Sequence, residues 1–85
     1  MRLGELYLSV NEFGSAVRVL TPAVAINPGS AAAWFALGQG HEGDYEYYSA
    51  GHDYACARAL APANQYYSNV YADFMRKTAS DPTSR

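Results

Sequence analysis

The chain has a single cysteine, Cys56, so it can close no disulfide within itself. That usage suits a reducing compartment. It has no run of about 18 apolar residues, and so no segment built to span a bilayer. The opening MRLGELYLSV places Glu5 inside a short apolar run and shows no small-residue cleavage pattern, so it does not read as a signal peptide. The location expected on these grounds is the cytoplasm. Basic charge is also scarce, with six Lys and Arg against eight Asp and Glu and a net charge of −2. Arg2, Arg18, Arg58 and Arg85 are scattered, and only Arg76 and Lys77 are adjacent. No basic stripe of the kind nucleic acid requires is present. Neither nucleic acid nor a membrane is an expected partner.

What is present is apolar. Hydrophobic residues make up 49% of the chain and charged residues 16%, the balance of a globular protein rather than a disordered one. Eighty-five residues form one small domain. A domain of that size buries only about 60–65% of its unfolded surface.

Leu37–Asp44 reads LGQGHEGD, and Gly38, Gly40 and Gly43 spell G-x-G-x-x-G, the fingerprint of a dinucleotide-binding turn. Such a turn needs a strand before it and an acidic residue about 20 positions later. The preceding Ser30-Ala31-Ala32-Ala33-Trp34-Phe35-Ala36 is helical in composition, and Arg58 to Pro62 carries no carboxylate. The glycines therefore do not indicate a nucleotide site.

Internal repetition explains more. Pro28 and Pro62 lie 34 residues apart, and the same step lays Leu3-Gly4 on Leu37-Gly38, Phe13 on Tyr47, Ala16 on Ala50, Leu20 on Tyr54 and Ala23 on Ala57. Gly38 has a duplicate at Gly4. Gly40 and Gly43 fall on Leu6 and Ser9, have none, and read as incidental.

This pattern resembles the tetratricopeptide repeat, whose signature is W-x2-L-G-x2-Y, then A-x3-F, then P. The second unit offers Trp34, Leu37, Gly38, Ala50, Tyr54, Ala57 and Pro62, with His41 where the family has Tyr. The first, cut at its front, offers Leu3, Gly4, Tyr7, Ala16, Leu20, Ala23 and Pro28; a third begins at Gln65 and stops early, with Tyr71, Ala72 and Met75 on the same frame. The resemblance implies an all-α fold, a right-handed superhelix of antiparallel helix hairpins with about five helices. It divides the chain into a helical repeat domain over 1–78 and a flexible tail over 79–85. Within the domain, 1–30 is a truncated repeat, 31–64 a complete one and 65–78 an extra helix. Small residues at Gly4, Gly38, Ala16, Ala50, Ala23 and Ala57 let helix axes approach to about 8–10 Å. Leu3, Tyr7, Leu20, Trp34, Leu37, Tyr54 and Tyr71 fill the gaps as core.

Helices are expected at about 2–10, 13–26, 31–42, 47–60 and 65–78, with Ser30 and Asn64 as N-caps. Gly40 and Gly43 each cost about 1 kcal/mol against alanine in a helix, so the end of the third helix is expected to fray or bend. Gly51 weakens the fourth in the same way. The family has Gly-Asp-Tyr at the turn inside each hairpin. Here Gly43-Asp44-Tyr45 arrives two residues early and Tyr45-Glu46-Tyr47 holds the slot.

By resemblance, a partner peptide lies in a concave groove formed by the first helix of each hairpin. The frame carries Glu5, Phe35, Gln39, Glu42, Tyr66, Asn69 and Asp73 to that surface. They would suit a peptide with an apolar anchor and a basic or amide-rich flank. Equally, they read as ordinary solvated helix faces. The basic set with which one subset of the family grips acidic chaperone tails is lacking.

Enzymatic and metal readings are the distant alternative. The reactive candidates are His41, His52, Cys56, Asp44 and Asp53. His52 and Cys56 share a helix face, but tetrahedral zinc wants three or four ligands. A Cys-His nucleophile lacks an evident third group to orient it. No catalytic residue, metal or cofactor is assigned. The other live reading is structural. Leu3, Leu6, Leu8 and Val10 exceed what one buried face of a short helix needs, so the front of the stack would pair with a second copy or with neighbouring repeats of a longer chain. Tyr45, Tyr48, Tyr66 and Tyr67 lie beyond the core frame and suit contact surfaces.

Overall fold

The computed structural model describes residues 2–79. The part of the expected tail from Ser80 onward lies outside the described residues. Five helices follow one another: α1 (Arg2–Ser9), α2 (Phe13–Ile26), α3 (Ala31–Gly43), α4 (Tyr47–Leu60) and α5 (Gln65–Ala79). There is no strand among the described residues, before Gly38 or elsewhere. α1 pairs with α2 and α3 with α4, and α3 and α5 each pack against the hairpin before them.

The 34-residue step recurs in the backbone hydrogen bonds. Glu12 N–H donates to the Tyr7 carbonyl at 2.8 Å, and Glu46 N–H to that of His41 at 2.8 Å. Asn11 and Tyr45 are the non-glycine residues of positive φ among the described residues, at 62° and 63°. Both hairpins therefore turn the same way, and Tyr45 takes a left-handed conformation that glycine adopts more readily. Asn27 N–H donates to the Ala23 carbonyl and Ala61 N–H to that of Ala57, each at 3.0 Å, closing α2 and α4 ahead of Pro28 and Pro62. Ser30 Oγ accepts from Ala33 N–H at 3.2 Å and Asn64 Oδ1 from Tyr67 N–H at 3.1 Å. Each cap of this kind contributes about 1 kcal/mol. Pro22 sits inside α2 and has no N–H for the Arg18 carbonyl; both residues are exposed, so water can take that place.

The core has two adjoining parts. Ala16, Leu20, Val24, Ala33, Ala36 and Leu37 fill the first, between α2 and α3, with Tyr7 and Leu8 of α1 against it. Phe35, Ala50, Tyr54, Ala57 and Phe74 fill the second, which joins α3, α4 and α5. Trp34 borders both, its Nε1–H held by the Pro28 carbonyl at 2.8 Å. Gly4 and Gly38 are needed at the helix crossings. A Cβ on Gly4 would stand 2.6 Å from Leu20 Cδ2, and one on Gly38 2.7 Å from Tyr54 Cδ1.

Several expectations are corrected. Leu3 is 50% exposed rather than core, because no described helix lies in front of α1. Gly40 and Gly43 are not incidental, and α3 runs through both. A Cβ at Gly43 would fall 2.3 Å from Phe13, and one at Gly40 3.1 Å from Val17 Cγ2, so these glycines let α2 lie against α3. Gly51 answers the same need one repeat later, with Phe74 Cε2 3.3 Å from its Cβ position. Val17 and Gly51 are equivalent in the frame, as are Gly40 and Phe74. Large meets small at both hairpin junctions, with the sides reversed.

Candidate functional site

Three of the seven sequence-derived groove residues come together. Gln39 and Glu42 of α3 and Tyr66 of α5 line an open cleft of about 420 Å³ with Phe13, Gly43, Tyr47, Tyr54 and Val70. Gln39 is exposed, and Tyr66 is 61% exposed. The sequence reading missed Phe13, Gly43, Tyr47 and Val70. The available signal was Gly43, whose absent side chain is what lets Phe13 reach this rim.

The other four residues are not in this cleft. Phe35 is buried: its ring stacks on Tyr67 at 4.6 Å and meets Tyr54 and Tyr66 at 5.4 Å each. The crossing of α5 over α3 covers it. Glu5 borders a separate depression with Arg2, Leu3 and Leu6. Asn69 is exposed and accepts from Gln65 Nε2–H at 3.1 Å. Asp73, also exposed, pairs with Arg76.

Glu42 ties three helices together. Its Oε1 accepts from the Tyr54 hydroxyl at 2.7 Å, and its Oε2 from Lys77 Nζ at 2.9 Å. Burial, then the Glu42 hydrogen bond and charge, push the Tyr54 phenol far above its ordinary range. The same carboxylate, first by hydrogen bond and then by charge, raises the Lys77 ammonium. A glutamate held in this way already has its cation and is poorly placed to recruit a basic peptide flank.

A second constellation lies at the α3–α4 interface. Asp53 is 3% exposed, the one buried charged residue of the described core. Its Oδ2 accepts from His41 Nδ1–H at 2.6 Å, and its Oδ1 faces His52 Nδ1 at 3.5 Å. His52 Nε2 in turn faces Cys56 Sγ at 3.8 Å. Asp53 therefore supplies the orienting group that the sequence reading found lacking. Burial, and secondarily Asp53, push the Cys56 thiol up. An activated thiol shifts the other way. No group of three or more His, Cys, Asp or Glu side chains that could hold a metal ion occurs among the described residues. No described helix is long and apolar enough to cross a membrane.

Residues 1–40 match a family model described as Tetratricopeptide repeat. The match takes in α1, α2 and α3 as far as Gly40, and so includes the first small-residue crossing. Comparison with curated proteins and with solved structures finds no match.

Proposed function

As a member of the tetratricopeptide repeat family, the chain is of a general type that mediates protein–protein interaction, and we propose that it binds a partner peptide in the cleft between α3 and α5. The observation that carries this reading is the convergence of Gln39 and Tyr66 on one open cleft. An exposed tyrosine offers a flat apolar face with a polar tip, and an amide can pair with a peptide backbone. The peptide best suited has an apolar or aromatic anchor for Tyr66 and an extended amide-bearing stretch for Gln39. Its role is that of a scaffold in the cytoplasm, without catalysis. The raised Cys56 thiol argues against a thiolate nucleophile at that position.

The experiment is selection of peptides from a displayed library on the full chain, followed by titration against variants. Tyr66→Ala and Gln39→Ala should each weaken binding by about tenfold, or 1.4 kcal/mol, with unchanged helical circular dichroism. Selected peptides that bind both variants as they bind the parent would refute the cleft.

Self-association is the second reading, favoured by Leu3 and Leu6 of α1 and Val10 in the turn after it, each half or more exposed. Sedimentation velocity across a hundredfold concentration range separates the two, since a constant monomer leaves only the peptide site.

A further inference from the structure

The third copy of the repeat frame is half filled. Leu3-Gly4-x2-Tyr7 on α1 is covered by α2, and Leu37-Gly38-x2-His41 on α3 by α4. Tyr71-Ala72-x2-Met75 on α5 occupies the same positions, and no described helix covers it. Ala72 is exposed where its counterparts Gly4 and Gly38 lie against Leu20 and Tyr54. Beside it runs an open slot of about 680 Å³ between α4 and α5, bounded by Tyr47, Tyr48 and Ala55 on one side and Tyr71, Phe74 and Met75 on the other. Tyr48 is 94% exposed and Met75 45%. This is unpartnered apolar surface, as is the exposed Leu3 and Leu6 face of α1 at the other end of the stack.

The two filled slots say what fits the open one. α2 presents Ala16-x3-Leu20 and α4 presents Ala50-x3-Tyr54, with all four residues buried. In each, a bulky side chain rests on the small residue of the first helix, and the alanine one turn earlier keeps the backbones close. We propose that the α4–α5 slot is a docking site for an amphipathic helix of a partner protein bearing the face small-x3-bulky-apolar, its bulky residue seated on Ala72. The docked helix continues the α1–α2 and α3–α4 interfaces by one further step. It uses helix-in-groove recognition, on a surface that shares Tyr47 with the Gln39–Tyr66 cleft but does not depend on that assignment.

The probe is a fluorescein-labelled peptide of residues 13–27, the α2 sequence itself, titrated into the full chain and followed by anisotropy. Saturable binding is expected, weakened about tenfold or more by Ala72→Arg. That variant changes an exposed residue, and circular dichroism checks that it folds. Gln39→Ala should leave probe binding unchanged, so failure of the cleft reading and failure of this one are distinguishable. No saturable binding, or binding that Ala72→Arg leaves intact, overturns the proposal. Concentration-dependent self-association that Ala72→Arg abolishes also overturns it, since the occupant is then a second copy.

Discussion

The two hairpins share a frame and differ in chemistry at four equivalent positions. The first places Tyr7, Leu8, Val19 and Leu20 where the second places His41, Glu42, Asp53 and Tyr54. The first solution is apolar packing with Leu20 fully buried. The second buries a carboxylate and satisfies it, with His41 on Asp53 and Tyr54 on Glu42. The backbone turns and closing hydrogen bonds are the same in both. The fold thus requires small residues at the crossings and a fixed turn. It accepts either packing or a fully paired polar set in the space between.

Breaking the polar set from one side should cost most. Asp53→Val leaves the part-buried His41 without its partner and is expected to destabilise by about 3–5 kcal/mol, measured as a shift in urea midpoint. The double variant His41→Tyr/Asp53→Val imports the first hairpin's residues and should recover most of that loss. A double variant no more stable than the single one would show that the hairpins are not equivalent in this respect. Next come the crossings. Gly4→Ala and Gly38→Ala should each cost about 1–3 kcal/mol through overpacking. Gly38→Ala should cost more, because a tyrosine ring has fewer ways to move aside than the end of a leucine. The reverse order in thermal unfolding would contradict the geometry.

The turns sharpen the comparison with an opposite sign. Tyr45 holds a left-handed conformation that costs a side-chain-bearing residue about 1–2 kcal/mol. Asn11 tolerates the same conformation better. Tyr45→Gly should raise stability by about 1 kcal/mol and Asn11→Gly by less, both readable from denaturant midpoints. The smallest effect belongs to the strap from α5 to the second hairpin. Lys77→Met should cost less than about 1 kcal/mol, as exposed ion pairs do. The Glu42 hydrogen bond raises the Lys77 pKa above its ordinary 10.5. The strap's contribution is therefore complete below that value and lost as pH rises through the folded-state pKa. Unfolding curves of parent and Lys77→Met should differ at neutral pH and converge in strong alkali.

The helix bounds were legible because repetition and capping agree. Ser30, Asn64, Pro28 and Pro62 mark the ends, and the 34-residue step marks them again. Gly40 and Gly43 misled because their equivalents, Leu6 and Ser9, sit on a helix with no described hairpin before it. The frame cannot reveal a junction that the first unit lacks. Phe35 misled because its covering helix, α5, crosses from far along the chain. The Asp53 network escaped for a similar reason: His41 and Asp53 are brought together by hairpin closure, not by a local motif. Of the candidate cleft, Gln39, Glu42 and Tyr66 were readable from helix position, whereas its second-helix rim depended on how the hairpins nest.

The reversed pairing at the two junctions gives the stack an address system. Were α2 to slip forward and seat itself where α4 meets α5, Val17 would collide with Phe74. Were α4 to take the place of α2 beside α3, Gly51 would face Gly40 across a hole. Near-identical backbones invite such shuffling during folding, and each wrong arrangement is penalised by a clash or a void.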